Sequence, residues 1–175
     1  NVHEGKRKMS NSVKAYFVGH PERLKVVLTL IENGLSVRNR RIYLNDIEIP
    51  PVRIGRVAGV DRRTVKETIT AINSNHELRL IFEGMRSAGH SLKEVARHLN
   101  FGVAEITPVD AKTPGILAGA ATILAKNGLS IRQAIVDDPE LSPEPKLTLI
   151  VERKIPGEII PELLNVKGVA KLSVY

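Results

Sequence analysis

The feature of this sequence that most constrains its fold is a glycine between two short apolar patterns. In the stretch RIGRVAGVDRRTVKETI, residues 53–69, the first pattern stops at Gly59 and the second starts after Asp61. Glycine adopts left-handed backbone angles at little cost, and an aspartate at the head of a helix accepts hydrogen bonds from its first N–H groups. The stretch therefore predicts two short helices that meet at a steep angle, which is the helix-turn-helix arrangement.

Apolar spacing gives each of these two predicted helices a buried side. In the second helix Val65, Ile69 and Ile72 recur one turn apart, so they mark its buried face. The side chains left on its outer face are mostly basic. In the first helix the buried positions are expected to be Val52, Ile54, Val57 and Ala58.

The string AGVDRRTV, residues 58–65, resembles the A-G-V-x-x-x-T-V core of many bacterial and archaeal helix-turn-helix repressors. That resemblance implies that the outer face of the second helix meets duplex DNA. Arg62 and Arg63 are then expected to reach base edges or phosphates, since arginine pairs well with guanine in the major groove. A plain helical hairpin with solvated arginines is the alternative interpretation. Residues expected to hold phosphates are Arg53, Arg56, Thr64 and Lys66.

The basic surplus of the chain lies in its first part. The net charge is +7, and residues 1–100 hold 18 Lys and Arg against 10 Asp and Glu, whereas residues 101–175 hold 8 against 9. Such a surplus attracts a polyanion, although it can also serve solubility alone. Three Phe, three Tyr and no Trp are too few for the stacking surfaces that bind single strands, so double-stranded DNA is the expected partner.

Residues 21–100 are predicted to form a mostly helical, winged helix-turn-helix domain with connecting helices, preceded by an N-terminal arm, residues 1–20. The Asn45-Asp46 pair lies between alternating apolar residues, so it predicts a short hairpin or wing. A capping box at Ser91 predicts that a further helix opens there.

From residue 101 to residue 175 the pattern changes to strands interrupted by two helical segments. The predicted order is β-α-β-β-α-β. This is the ferredoxin-like arrangement, an antiparallel sheet with helices on one face, so the whole chain is expected to be α+β. The first helix is predicted with Thr113 as its cap, Pro114 as its first residue and Gly128 as its stop. Its buried face is expected to comprise Leu117, Ala121, Leu124 and Ala125.

The strings VDAKTPGILAGAATILAKNGLSI and NVKGVAKLSV resemble the ACT domain family, and the resemblance covers residues 101–175. The pattern of that family is an acidic residue, Pro-Gly, an apolar helix ending in Gly, and a late Gly-Val before the final strand. The family often has Asn at the position of Ser130. The matching elements here are Asp110, Pro114-Gly115, Leu117, Leu124, Gly128, Ser130-Ile131 and Gly168-Val169.

This resemblance implies that residues 101–175 bind an amino acid and pair with a second copy of the chain. ACT domains commonly pair side by side and hold their ligand at that interface, near the loop after the first strand. A helix N-terminus at such a loop offers free N–H groups to a ligand carboxylate. A domain that only dimerises is the alternative. The ligand-binding residues are expected to be Asp110, Thr113, Pro114, Gly115, Ile116, Leu117, Gly128 and Ser130.

Composition argues against several other classes of protein. The absence of Cys excludes disulfides, thiol nucleophiles and cysteine-ligated metals, and the five histidines lack metal-ligating spacing. No nucleophile is paired with a base in a known motif, so we expect no enzyme activity, no metal and no cofactor besides an amino-acid effector. With no apolar run near 18 residues and no secretory signal, we expect a cytoplasmic protein that does not contact a membrane.

A helix-turn-helix half joined to an ACT half is similar to archaeal proteins predicted to regulate amino-acid metabolism. This similarity implies a ligand-responsive transcription regulator that acts as a homodimer or a higher homo-oligomer. The main alternative is an amino-acid-sensing regulatory or interaction subunit that docks on a protein and does not bind DNA.

Overall fold

Helices and antiparallel sheets occur in both parts of the chain, which is therefore an α+β protein, as the sequence predicts. The structure is a computed structural model that describes residues 9–140, 142 and 144–175. It divides into two units, Asn1–Gly89 and His90–Tyr175.

The first unit combines five described helices with a three-stranded sheet. The helices are α1 (Met9–Tyr16), α2 (Pro21–Glu32), α3 (Pro51–Ala58), α4 (Arg62–Ser74) and α5 (His76–Gly84). The antiparallel strands, in spatial order, are β1 (Leu35–Arg38), β2 (Arg41–Leu44) and β3 (Ile47–Ile49). The predicted hairpin is confirmed, because β2 pairs with β3 across a turn in which Asn45 has a φ of 53°.

Part of the predicted N-terminal arm, residues 1–20, is a helix. Val13 on α1 and Phe17 just after it are buried in the core of the first unit. Residues 1–8 of that arm lie outside the described residues. The other elements that contribute buried side chains to this core are α2, the first two strands, α3, α4 and α5. Their largest buried side chains include Val26, Leu30, Ile42, Ile72, Leu78 and Phe82.

The two helices predicted on either side of Gly59 are present as α3 and α4. Gly59 has a φ of 67° and a ψ of 37°, the left-handed conformation that the turn requires. The Asp61 carboxylate accepts a hydrogen bond of 2.7 Å from the Arg63 backbone N–H, so Asp61 caps α4 as predicted. The predicted buried side of α4 is confirmed at Val65, Ile69 and Ile72, and Thr68 is buried beside them.

The predicted buried side of α3 is wrong at two positions. Val52 and Val57 are 44% and 72% exposed, and α3 buries Ile54 and Gly55 instead. Gly55 faces inward because the chain approaches it closely: a Cβ built on Gly55 would lie 2.8 Å from the carbonyl oxygen of Val60. Turning Gly55 and Ile54 inward places the two valines on the outer side of the helix.

The predicted order β-α-β-β-α-β of the second unit is confirmed. Its described strands are all paired antiparallel, in the spatial order β5-β6-β4-β7. The elements are β4 (Gly102–Pro108), α6 (Ile116–Lys126), β5 (Ile131–Val136), β6 (Leu147–Val151), α7 (Ile160–Leu164) and β7 (Val169–Val174), with 3-10 helices at Lys93–Leu99 and Gly157–Ile159.

Different elements cover the two faces of this second sheet. On one face, Ala104 and Ile106 of β4 pack with residues of α6 and α7. On the other face, Val103 of β4 and Ile150 of β6 pack against Ala96 of the 3-10 helix. Residues 90–100 therefore pack with the second sheet, whereas the sequence places the domain boundary after them.

The predicted capping box at Ser91 does not form an α-helix. The Ser91 hydroxyl oxygen accepts a hydrogen bond of 3.3 Å from the Lys93 N–H, two residues on, and not from the third N–H that a capping box requires. The segment that follows is the 3-10 helix Lys93–Leu99.

The start and the buried side of α6 differ from the prediction. The helix begins with Gly115, at a φ of 95°, as its cap, so Thr113 and Pro114 precede it. Two of the residues predicted to be buried are exposed: Leu117, to 41%, and Ala125. The error arises because α6 is apolar nearly all round, so periodicity alone cannot choose between neighbouring apolar rows. The buried residues of α6 are Ile116, Ala120 and Leu124.

The close approach at Gly55 predicts that this position does not tolerate a side chain. Gly55→Ala should lower the free energy of unfolding by about 1–3 kcal/mol, because backbone atoms of the turn would have to move. Gly84→Ala is the matched control, since a Cβ there meets no atom within 4 Å and Gly84 ends a helix. Urea unfolding of both variants measures the difference. Equal stability of the two variants would contradict the close packing.

Candidate nucleic-acid interface and candidate ligand cavity

The net positive charge of the chain falls entirely in the first unit. Residues 1–89 hold 16 Lys and Arg against 9 Asp and Glu, and residues 90–175 hold 10 against 10. The first unit is therefore the part of the molecule that attracts a polyanion.

Five of the six predicted DNA-contacting residues are exposed on α3, on α4 and at the head of α4. These are Arg53, Arg56, Arg62, Arg63 and Lys66, and the sixth, Thr64, is half-buried. Arg62 and Arg63 follow the cap residue Asp61 directly, so they lie on the first turn of α4. The side chain of Arg63 is 85% exposed. The structure thus places the predicted cations on two consecutive helices around the Gly59 turn.

Glu67 joins α4 to α2 through Arg23 and also pairs with Arg63 on its own helix. Its carboxylate accepts hydrogen bonds of 3.0 Å from the Nη2 atom of Arg23 and of 3.0 Å from the Nε atom of Arg63. The hydrogen bond from Arg23, and then the one from Arg63, lower the pKa of Glu67. Sequence reasoning missed Arg23, because it lies 44 residues before Glu67 and shares no motif with α4.

Two other arginines of the first unit, Arg38 and Arg41, are engaged within the three-stranded sheet. Arg41 forms an ion pair of 2.9 Å with Glu48, and the Arg38 guanidinium lies 4.3 Å from the centre of the Tyr43 ring. Within the part of the chain that the structure describes, no ion pair engages Arg53, Arg56, Arg62 or Lys66. These four cations are therefore available to an external anion.

A small cavity lies at the N-terminus of α6, and we refer to it as the α6 cavity. Its volume is about 230 Å³. Four of the eight predicted ligand-binding residues line it: Thr113, Gly115, Ile116 and Leu117. The other walls are Pro108, Ala111, Val136, Asp137, Pro145, Lys146 and Leu147.

The remaining four predicted ligand-binding residues do not line the α6 cavity. Asp110 holds the loop, since its carboxylate accepts a hydrogen bond of 2.9 Å from the Lys112 N–H. Pro114 is exposed. Gly128 and Ser130 follow the far end of α6, where the Gly128 carbonyl accepts a hydrogen bond of 3.0 Å from Arg153.

The sequence did not indicate the wall of the α6 cavity that comes from the ends of β5 and β6. There Asp137 and Lys146 are joined by two hydrogen bonds: the Asp137 N–H donates to the Lys146 carbonyl at 2.9 Å, and the Lys146 N–H donates to the Asp137 carboxylate at 3.1 Å. No motif in the sequence singles out Asp137. Only the pairing of β5 with β6 brings it to the cavity.

A buried carboxylate, Glu105, lies on the central strand β4, and sequence reasoning missed it as well. Only 5% of Glu105 is exposed, and its carboxylate is 2.6 Å from the Nζ atom of Lys93 and 3.4 Å from that of Lys146. The Tyr175 hydroxyl also donates to it at 3.2 Å. The hydrogen bond from Lys93 is the main cause of a lowered pKa of Glu105. The sequence does hold one sign of this buried carboxylate, because Glu105 is a charged residue between the apolar Ala104 and Ile106 of a predicted strand.

No protein-family model and no curated protein matches this chain. Among solved structures, the chain is similar to a point mutant of Rv3291c, with 16% identity over 88% of this chain and 90% of that one, and a TM-score of 0.29. Within the described residues, no helix is both long and apolar enough to cross a membrane. The same residues contain no group of three His, Asp or Glu placed to hold a metal ion.

The charge cluster around Glu105 predicts a pH-dependent contribution to stability. Glu105→Gln should lower the free energy of unfolding by about 2 kcal/mol at neutral pH, because a neutral amide cannot match two lysines. Since the pKa of Glu105 is lowered in the folded protein, its contribution is present above the ordinary value of 4.5 and is lost as the pH falls through the lowered pKa.

Urea unfolding of the wild type and of Glu105→Gln, at about pH 7 and about pH 3, measures this difference in stability. The difference should shrink in acid. The control is Glu162→Gln, the same chemical change at an exposed residue of α7. An equal difference at both pH values would contradict the ionised state of Glu105.

Proposed function

We propose that this protein is a transcription regulator that binds duplex DNA through α3 and α4 and senses an amino acid through its second unit. The observation that carries the proposal is the turn at Gly59, which presents a capped helix with exposed arginines on its first turn. In this proposal α3 and α4 are the helix-turn-helix, the three-stranded sheet is a wing-like element, and the second unit is an ACT domain.

The first turn of α4 supports DNA recognition by its chemistry. The recognition helix of such motifs lies in the major groove with its N-terminal residues at the base edges. Arg62 and Arg63 are in this position, and an arginine pairs in a bidentate manner with guanine. Arg53, Arg56, Thr64 and Lys66 would hold phosphates on either side, and such contacts fix the register of a protein on the duplex.

The α6 cavity supports the proposal of an amino-acid effector. The first N–H groups of α6 offer donors to a carboxylate, and the carboxylate of Asp137 offers an acceptor to an ammonium group. Ile116, Leu117 and Val136 supply an apolar wall for a side chain. The volume of about 230 Å³ lies below the roughly 300–1,000 Å³ of drug-sized ligand sites, so a small ligand is favoured.

A dimer would couple amino-acid binding to DNA binding in this proposed regulator. Pairing through the second units presents two copies of α4 to half-sites separated by about one turn of DNA, roughly 34 Å. An amino acid shifts such a dimer towards one state only if it binds that state more tightly. The proposed effector would therefore act by favouring one spacing of the two recognition helices.

A second candidate function rests on the exposed valines of α3. Val52 and Val57 are apolar residues on the same short helix as Arg53 and Arg56, and a surface of this composition also suits a protein partner. Under this alternative the protein is an amino-acid-sensing subunit that docks on another protein. Selection of bound fragments from genomic DNA separates the two functions, since enrichment of one short palindrome supports the regulator and no enrichment supports the docking subunit.

Replacing Arg62 and Arg63 together by Ala should reduce affinity for the selected DNA by about thirtyfold or more, because each arginine–guanine pair contributes roughly 1–3 kcal/mol. Gel-shift titration at fixed salt measures this affinity. The control is Arg40→Ala with Arg79→Ala, which removes the same charge from a groove at the C-terminal end of α4, away from its first turn. An unchanged affinity of the Arg62 and Arg63 variant, or equal losses in both variants, would contradict the assignment.

Amino acids added one at a time should include one that raises the melting temperature, since a ligand at a hundred times its Kd adds about 2.7 kcal/mol. Leu117→Glu places a carboxylate on the wall of the α6 cavity and should abolish this rise by repelling the ligand carboxylate. Leu164→Glu is the matched control, because Leu164 is 44% exposed on α7 and does not line the cavity. The site assignment fails if Leu117→Glu retains the full rise.

A further inference from the structure

A second cavity of the second unit takes no part in the proposed function, and we call it the basic cavity. It has a volume of about 630 Å³, within the usual range for small-molecule sites. It lies where the 3-10 helix Lys93–Leu99 meets the start of β4, the segment after β6 and the end of β7. Its lining residues are Lys93, Glu94, Ala96, Arg97, His98, Asn100, Phe101, Val103, Lys154 and Tyr175.

Positive charge is concentrated in the basic cavity. Lys93, Arg97 and Lys154 line it together with His98, and Glu94 is the sole acidic residue of its lining. In the second unit as a whole, Lys and Arg are balanced by Asp and Glu. Among the described residues, no ion pair engages Arg97 or Lys154. Arg97 and Lys154 can therefore pair with an anionic ligand without first breaking an ion pair.

One wall of the basic cavity is fixed by the buried carboxylate of Glu105. Lys93 Nζ is held 2.6 Å from this carboxylate and the Tyr175 hydroxyl 3.2 Å from it. Lys146 also pairs with Glu105 from outside the basic cavity, at 3.4 Å, so two lysines face one carboxylate and the cluster retains a positive charge. The ammonium group of Lys93 has three hydrogen-bond donors, so it can bind Glu105 and a ligand together. Because Glu105 already holds this side chain in place, Lys93 loses little conformational entropy when a ligand binds.

The floor of the basic cavity is apolar. Ala96 and Val103 are buried there, and Phe101 is half-buried beside them. The Arg132 guanidinium lies 5.2 Å from the centre of the Phe101 ring, which helps to keep the ring in position. A ligand with a flat apolar part can rest on such a floor while its charged part meets the cations.

The balance of charges decides which class of anion fits. An amino acid carries an ammonium group and needs an acidic partner for it, which the α6 cavity supplies through Asp137. The lining of the basic cavity has three Lys and Arg to one Glu, and Lys146 shares with Lys93 the charge of the buried Glu105, so the site suits a dianion better than a zwitterion. Phosphate accepts charge-assisted hydrogen bonds from arginine in a bidentate manner, and lysine binds it as a point charge.

We propose that the basic cavity is a binding site for a small phosphate monoester that carries a planar ring, with Arg97, Lys154 and Lys93 holding the phosphate. The ring lies over Phe101 and Val103. Because the lining of this site shares no residue with the lining of the α6 cavity or with the helix-turn-helix, the proposal does not depend on the proposed regulator function.

Calorimetric titration of the full chain with three probes tests this proposal. Adenosine monophosphate should bind, inorganic phosphate should bind more weakly because it lacks the ring, and adenosine should bind least because it lacks the phosphate. Adenosine binding as tightly as the monophosphate would overturn the role of the cations. A Kd for the monophosphate weaker than about 1 mM would overturn the site itself.

A double variant locates the binding. Arg97→Ala with Lys154→Ala should weaken binding of the monophosphate by about tenfold or more, because two charge-assisted contacts are removed. Lys126→Ala with Lys167→Ala is the matched control, since it removes two exposed cations outside the cavity. Equal weakening in both variants would show nonspecific attraction and overturn the proposal.

Both pairs of residues in this test are exposed, so the variants should fold, and their melting temperatures without ligand check this. As a second measurement, amide chemical shifts recorded with the monophosphate should change most at Phe101, Val103 and Tyr175. Changes confined to the α6 cavity would also overturn the proposal.

Discussion

The backbone contact between Gly55 and Val60 determines the geometry on which the first unit depends. The Val60 N–H donates to the Gly55 carbonyl at 2.9 Å, and the lack of a side chain at Gly55 lets the turn return across α3. This path sets the direction of α4, so that Val65 and Ile69 face the core. The opposite side of the same helix then carries its cations outward. A residue without a side chain thus determines where the cations of α4 point.

The two units use charge in different ways. The first holds a surplus of cations at its surface, and four of the cations on α3 and α4 have no ion-pair partner among the described residues. The second is neutral in total but has a carboxylate inside its sheet that is satisfied by Lys93, Lys146 and Tyr175. Removing one member of such a buried cluster is costly, whereas an exposed ion pair contributes little. The exposed cations of the first unit can attract an anionic partner. The buried cluster around Glu105 instead holds the residues of the second unit in place.

The sequence predicts those parts of this fold that depend on local signals. The turn at Gly59, the cap at Asp61 and the buried row of α4 are confirmed because each is encoded within a few residues. The predictions are wrong where a contact between distant segments decides which residues of a helix are buried. Gly55 faces inward because of the turn that crosses it, and Leu117 faces outward because Ile116 occupies the position against the sheet.

For the candidate sites too, the sequence predicts residues that are close together in the chain and misses those that the fold brings together. The residues before and at the start of α6 were predicted as a group because they are contiguous, and four of them line one cavity. Asp137, Arg23 and Glu105 were missed, because strand pairing or helix packing brings each to its partners from far along the chain. Gly128 and Ser130 belong to the same resemblance but lie beyond the opposite end of the helix.

The packing of residues 90–100 on the second sheet has a practical consequence for work on isolated parts of this protein. A fragment that starts at residue 101 would lack Ala96 and would expose the apolar side chains of Val103 and Ile150 to water. It would also lack Lys93 and leave the Glu105 carboxylate with less compensation. Uncovered apolar surface on a sheet promotes self-association, so such a fragment is expected to aggregate. A fragment that starts at His90 keeps this cover and is the better choice for expression.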